Sequence, residues 1–99
     1  MRPTSVATLE RWRSIDATIV LAAISEYAKR DDSYVAKKNL STSRWHASVG
    51  GTDYELLLTG PKYWDVRARK GGGGAVDLVM HLLGCDFRRA VKRLKDARL

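Results

Sequence analysis

RWHASVGGTDYELLL, residues 44–58, is the stretch whose reading decides the fold. Gly50-Gly51 has the two-residue composition of tight hairpin turns, whose central residues take positive φ. A two-residue loop pairs Val49 with Thr52, Ala47 with Tyr54 and Trp45 with Leu56. All of these side chains, with Leu58, then share one face, and Arg44, His46 and Ser48 go to the other. The pattern predicts an antiparallel hairpin with a single apolar face.

Toward the C-terminus, TGPK makes a second turn and KYWDVRARK a third strand. With Leu58 opposite Trp64, Leu56 meets Val66 and Tyr54 meets Ala68, which extends the apolar face. Tyr63, Asp65, Arg67 and Arg69 then lie on the opposite face. An exposed tyrosine beside two arginines suits base stacking and phosphate pairing; an ordinary solvated sheet face is the competing reading. Gly71 to Gly74 follow. They lack the Lys-Ser/Thr ending of a phosphate-binding loop and fit no dinucleotide fingerprint, so they read as a flexible turn joining sheet to helix. A helix is expected from Ala75 to Leu83, with Asp77 in its first turn as a dipole partner and Gly84 as its stop. Asp86 caps a final helix whose buried stripe is Phe87, Ala90, Val91 and Leu94. Arg88, Arg89, Lys92, Arg93 and Lys95 cover the rest and form a secondary basic face.

Toward the N-terminus, DDSYVAKKNLSTS reads as a connection with a short strand around Tyr34 to Ala36. Asp16 caps a helix in which Ile19, Val20, Ala23, Ile24 and Tyr27 recur at helical spacing, with Lys29 and Arg30 in its last turn. A short helix is expected within residues 1–14, capped by Thr4 or Ser5, with Val6, Leu9 and Trp12 on one face. Residues 1–15 are therefore an N-terminal extension or short helix, and 16–99 a single domain. The fold class expected is α+β: a three- or four-stranded antiparallel sheet with helices packed on its apolar face.

Ninety-nine residues suffice for one small domain, and a net charge of +7 with a pI near 9.9 favours a polyanionic partner, nucleic acid before others. The single cysteine, Cys85, excludes a disulfide framework and a cysteine cluster for zinc, and reads as a reduced core thiol. No apolar run reaches membrane-spanning length and the N-terminus has no apolar signal centre, so a cytoplasmic protein is expected. His46 and His81 stand alone in sequence, and the acids Asp53, Glu55, Asp65 and Asp77 are scattered. No nucleophile–base pair or paired carboxylate emerges, which points to a binding module without cofactor or metal.

The order of helix, strand hairpin, aromatic strand, glycine run and final helices resembles the N-terminal zinc-binding domain of bacterial DnaG-type primases. It is similar also to related modules in primases of phages, plasmids and integrative elements. The resemblance runs from Ile24-Ser25-Glu26-Tyr27 to Leu94. It is most specific at Gly73-Gly74-Ala75-Val76-Asp77-Leu78-Val79-Met80 with Phe87, Ala90, Val91 and Leu94. That family holds zinc with a Cys and a His three residues apart and a later Cys-X-X-Cys pair. Here those positions fall on Ser43 and His46, and on Val66 and Arg69. One imidazole cannot replace a four-ligand site, so the resemblance implies a zinc-free relative, with Trp45, Trp64 and Tyr54 supplying the core that metal supplied. It also implies an accessory module that engages single-stranded DNA in mobile-element replication, with polymerase chemistry in another domain or chain. The residues expected at the nucleic acid are Tyr63, Arg67, Arg69 and Lys70, then Arg44 and Lys62, with Arg88, Arg89, Lys92 and Arg93 as the secondary face. The alternative is a protein-interaction adaptor that uses the basic last helix to dock on an acidic partner such as a primase, helicase or relaxase, without direct DNA binding.

Overall fold

The chain runs α1 (Val6–Ser14), α2 (Ala17–Ile24), β1 (Tyr27–Arg30), β2 (Ser43–Val49), β3 (Thr52–Thr59), β4 (Lys62–Asp65), β5 (Lys70–Gly73), α3 (Ala75–Leu83) and α4 (Phe87–Asp96). This is a computed structural model describing residues 4–99, and the part of the expected first helix at residues 1–3 lies outside it. Side-chain oxygens start three of these helices. Ser5 accepts from the Thr8 amide, Asp16 from Thr18 and Asp86 from Arg89. α3 instead begins at Gly74 and stops on Gly84, whose φ of 61° suits glycine.

The five strands form one antiparallel meander in the order β1-β2-β3-β4-β5. The α+β class holds, with five strands in place of three or four. The central hairpin has the expected register, Val49 on Thr52, Ala47 on Tyr54 and Trp45 on Leu56. Ala47, Val49, Leu56 and Leu58 are buried against the helices. From the helical side come Trp12, Val20, Leu21, Leu78, Val79 and Leu94, all essentially without solvent contact. Each such side chain contributes about 1.5–3 kcal/mol of transfer free energy.

Four local expectations are corrected. First, Tyr27, Lys29 and Arg30 belong to a strand. α2 ends at Ile24 because Ser25 turns extended (ψ 150°) while its hydroxyl and amide both bond the Leu21 carbonyl. The Glu26 amide then donates to Ser48, and β1 closes the otherwise open edge of β2. Second, Tyr34 to Ala36 form no strand; the connection is folded by local turns in which Asp31 and Asn39 accept from the Ser33 and Ser41 amides. Third, Leu58 pairs with Tyr63, not Trp64, because Gly60-Pro61 is a two-residue turn setting Thr59 against Lys62. A one-residue slip exchanges the faces of a whole strand. Tyr63 and Asp65 therefore point into the core (4% and 3% exposed) and Trp64 points out (44%).

Fourth, the glycine run is no flexible turn. β4 stops at Asp65, whose carboxylate accepts from the Arg67 and Ala68 amides and folds residues 66–69 into a turn. Lys70 to Gly73 then return as the edge strand β5, with Gly71 beside Trp64 and Gly72 beside Tyr63. A β-carbon on Gly71 would sit 2.8 Å from the Trp64 ring, and one on Gly72 would collide with the Asp77 carboxylate. Three residues of the apolar helical stripes also lie more open than expected: Val6, Ile19 and Phe87 are about half or more exposed.

Candidate nucleic-acid interface

With helices covering the inner face, the outer face of the sheet is the open surface, and it divides into two halves. On the β1–β2 side, charges neutralise each other. Arg44 Nε lies 3.5 Å from Glu55 and 4.0 Å from Asp31, and His46 Nδ1 lies 2.7 Å from Glu55. Ser48 donates to Asp53 at 2.6 Å, and Tyr27 meets the His46 ring edge-on. The Ser33 hydroxyl, then its amide, hold the Asp31 carboxyl below its ordinary range, with Arg44 adding to the effect. Arg44 is thus engaged by two carboxylates.

The β3–β4 side has a different chemistry. Leu57 and Trp64 are cross-strand partners pointing outward. Residues of the β1–β2 connection lean over them, fastened where the Thr42 and Thr59 hydroxyls meet at 2.6 Å. Between them lies a groove of about 570 Å³, lined by Tyr34, Val35, Lys37, Lys38, Leu57, Lys62 and Trp64 among others, with no carboxylate in its wall. Flat aromatic rings flanked by flexible cations form the combination on which bases stack and phosphates pair.

The structure redistributes the expected contact residues. Tyr63 contributes to the groove wall but is almost wholly buried: burial first, and then the neighbouring Asp77 carboxylate, push its phenol up to about 12. Its hydroxyl makes no well-formed hydrogen bond. Lys62 lines the groove. Arg67, Arg69 and Lys70 are exposed at the β4–β5 turn, where the Arg67 guanidinium donates to the Asp53 carbonyl at 3.4 Å and Arg69 takes a φ of 54°. Arg88, Arg89 and Lys92 are exposed on α4, and Arg93 is half-buried. Trp64, Tyr34, Lys37 and Lys38 were missed. Trp64 had been turned inward by the register, and the signal for the others was a tyrosine and a lysine pair inside a stretch read only as a connection.

The expected Trp45, Trp64 and Tyr54 cluster does not form either. Trp45 and Tyr54 pack on the core, whereas Trp64 faces away from it. At the positions where the resemblance would place zinc ligands, Ser43 and His46 occupy opposite faces of β2, and Val66 and Arg69 sit in the turn. Ser43 Oγ accepts from the Trp45 indole. Among the described residues, no three or more His, Cys, Asp or Glu side chains are grouped to hold a metal ion.

Both histidines, solitary in sequence, acquire carboxylate partners in space. His81 Nε2 lies 2.6 Å from Asp65, and its ring stacks on Tyr63 at 5.3 Å between centroids. The Tyr54 ring is 5.9 Å away on a tilt, with its hydroxyl donating to the Leu82 carbonyl. Burial raises the Asp65 carboxyl, but the Ala68 amide, His81 and the Arg67 amide outweigh it, and the net shift is downward. Neither Asp65 nor His81 lines the outer groove. Their geometry fixes where β4 ends and ties it to α3.

No family model matches the chain, and no solved structure matches it. Among the described residues, no helix is long and apolar enough to cross a membrane. A 65 kDa protein of Zymomonas mobilis is 42% identical over 43 residues, a segment that makes up 43% of this chain and 7% of that protein.

Proposed function

We propose that this protein is a nucleic-acid-binding module that holds single-stranded DNA in the groove on the outer face of its sheet. One observation carries the reading: Trp64, half-exposed and held over Gly71, stands in a groove with Lys37, Lys38 and Lys62 and no carboxylate. A base stacks on the Trp64 indole, Tyr34 offers a second ring, and the lysines pair with the phosphates on either side. Such contacts tolerate any base, and their affinity falls with salt as counterions are released. Arg67, Arg69 and Lys70 continue the basic track past the β4–β5 turn, while the charge-paired β1–β2 half of the face stays outside it. In the setting that the resemblance implies, the module engages template for a primase or replication protein of a cytoplasmic plasmid, phage or integrative element, and the catalysis lies elsewhere.

The competing reading, an adaptor docking on a primase, helicase or relaxase, draws on Val35 and Leu40, which are 76% and 89% exposed on the same connection. Titration of a labelled oligothymidylate at two salt concentrations separates the two. The groove reading expects low-salt binding that weakens about 5- to 150-fold in Trp64→Ala, the loss of about 1–3 kcal/mol of base stacking. It expects a comparable loss in Lys37→Glu/Lys38→Glu. Absence of binding by the parent at low salt favours the adaptor.

A further inference from the structure

The helical side of the molecule carries a second basic surface that the groove does not use. From Asp86 to Leu99 the chain has six basic residues, Arg88, Arg89, Lys92, Arg93, Lys95 and Arg98, against two acids. Both acids are engaged locally: Asp86 accepts the Arg89 amide at 2.9 Å and Asp96 pairs with Lys92 at 3.0 Å. Burial of Ala90, Val91 and Leu94 fixes the helix against the core and turns most of these cations outward. Arg89 and Arg93 stand four residues apart, a spacing at which like charges on one helix repel. α4 therefore keeps an excess of positive charge that a polyanion would balance. Arg11 of α1 donates to the Leu99 carbonyl at 2.8 Å and ties the first helix to the same end.

This face also lacks what an unpaired strand requires. Apart from Phe87, the exposed side chains of α4 are all charged, and Phe87 lines a separate groove with Leu9 and Met80. Cations without a stacking ring pair with phosphates but give the bases of a single strand no platform to stack on. A duplex, with its bases paired inside, presents such a face with closely spaced phosphates. We infer that the exposed face of α4 binds the backbone of a nucleic-acid duplex. The molecule then holds a single strand on its sheet and the adjoining duplex on its helices. The α4 assignment goes beyond the groove reading and stands without it; only the junction needs both.

The test uses the full chain with three labelled probes: oligothymidylate, a blunt duplex, and a duplex with a single-stranded tail. The variants are Arg89→Gln/Lys92→Gln/Lys95→Gln and Trp64→Ala, with Lys95→Gln alone as a milder second variant of the helix. The parent is expected to bind the tailed duplex more tightly than either other probe. The triple variant loses about tenfold or more in duplex affinity and about two to three units of salt slope, and keeps its single-strand affinity within about twofold. Lys95→Gln shifts duplex affinity in the same direction by less. Trp64→Ala does the reverse, losing single-strand affinity alone. Loss of single-strand binding in the parent with duplex binding intact sinks the groove and leaves α4 standing. A triple variant that binds duplex like the parent overturns the inference. So does a parent that binds polyglutamate as tightly as duplex at equal salt, which assigns the face to an acidic protein.

Discussion

The Trp64 ring lies so close over Gly71 that a β-carbon there would stand 2.8 Å from its Cε3 and 3.0 Å from the Tyr63 carbonyl. The glycine is thus the floor on which the candidate stacking ring rests. Gly71→Ala is expected to push the indole off its seat, lowering the thermal midpoint as overpacking of about 1–3 kcal/mol would. Affinity for a single strand should fall toward that of Trp64→Ala. An alanine variant that keeps both midpoint and affinity would show that the ring position does not matter.

Tyr63 was the leading contact in the sequence and is a core residue in the structure. Its buried hydroxyl lies beside the Asp77 carboxylate without a well-formed hydrogen bond, so it contributes little to stability. Tyr63→Phe should therefore leave single-strand affinity unchanged and shift the chemical-denaturation midpoint by an amount worth no more than about 1 kcal/mol. A large loss of affinity would return Tyr63 to the interface.

Asp65 makes folding pH-dependent. Its folded carboxyl lies below the ordinary range, so the unfolded chain binds the proton more readily between the two values. Its contribution is present above the unfolded value near 3.8 and is lost as pH falls through the folded one. Asp65→Asn takes the carboxylate from His81 and from the Arg67 and Ala68 amides, and losing hydrogen bonds to a charged group costs about 1.5–3 kcal/mol. Urea midpoints measured from neutral pH to acid should show a smaller acid-side decline in the variant than in the parent.

Arg44 and Lys62, one held by carboxylates and one in the groove wall, should separate. Arg44 is held by Glu55 and Asp31, so Arg44→Ala is expected to change single-strand affinity by no more than about twofold. Lys62→Ala removes a groove cation and should lower the salt slope by about one. Equal effects from both would place the strand across the whole sheet face.

These contrasts follow the line between what the residues decide locally and what they decide at a distance. The register of the hairpin was legible because Gly50-Gly51 and the alternation around it sit within a few positions of each other. The same holds for Asp86 and Gly84, which bound their helices. The faces of β4 were not legible, because an aromatic ring stands at either parity, Tyr63 at one and Trp64 at the other, and Val66 makes the outward parity look the more apolar. Only the length of the Gly60-Pro61 turn chooses between them. β1 depends on the open edge of β2, and residues 27–30 carry no strand pattern of their own. The glycine strand is invisible to propensity, since what demands it is the Trp64 ring on one side and Asp77 with Tyr63 on the other. The groove needed both the corrected register and the folded connection before Lys37, Lys38 and Trp64 could meet.

The most direct measurement is photo-cross-linking of an iodo-substituted deoxyuridine oligonucleotide to the protein, followed by tryptic mapping. Cleavage after Lys62 and Arg67 isolates Tyr63-Trp64-Asp65-Val66-Arg67, which carries the outward indole and the buried phenol together. The groove account expects the adduct in this peptide, with fragmentation placing it on Trp64. An adduct confined to the α4 peptides, in a complex that retains low-salt single-strand affinity, would contradict it.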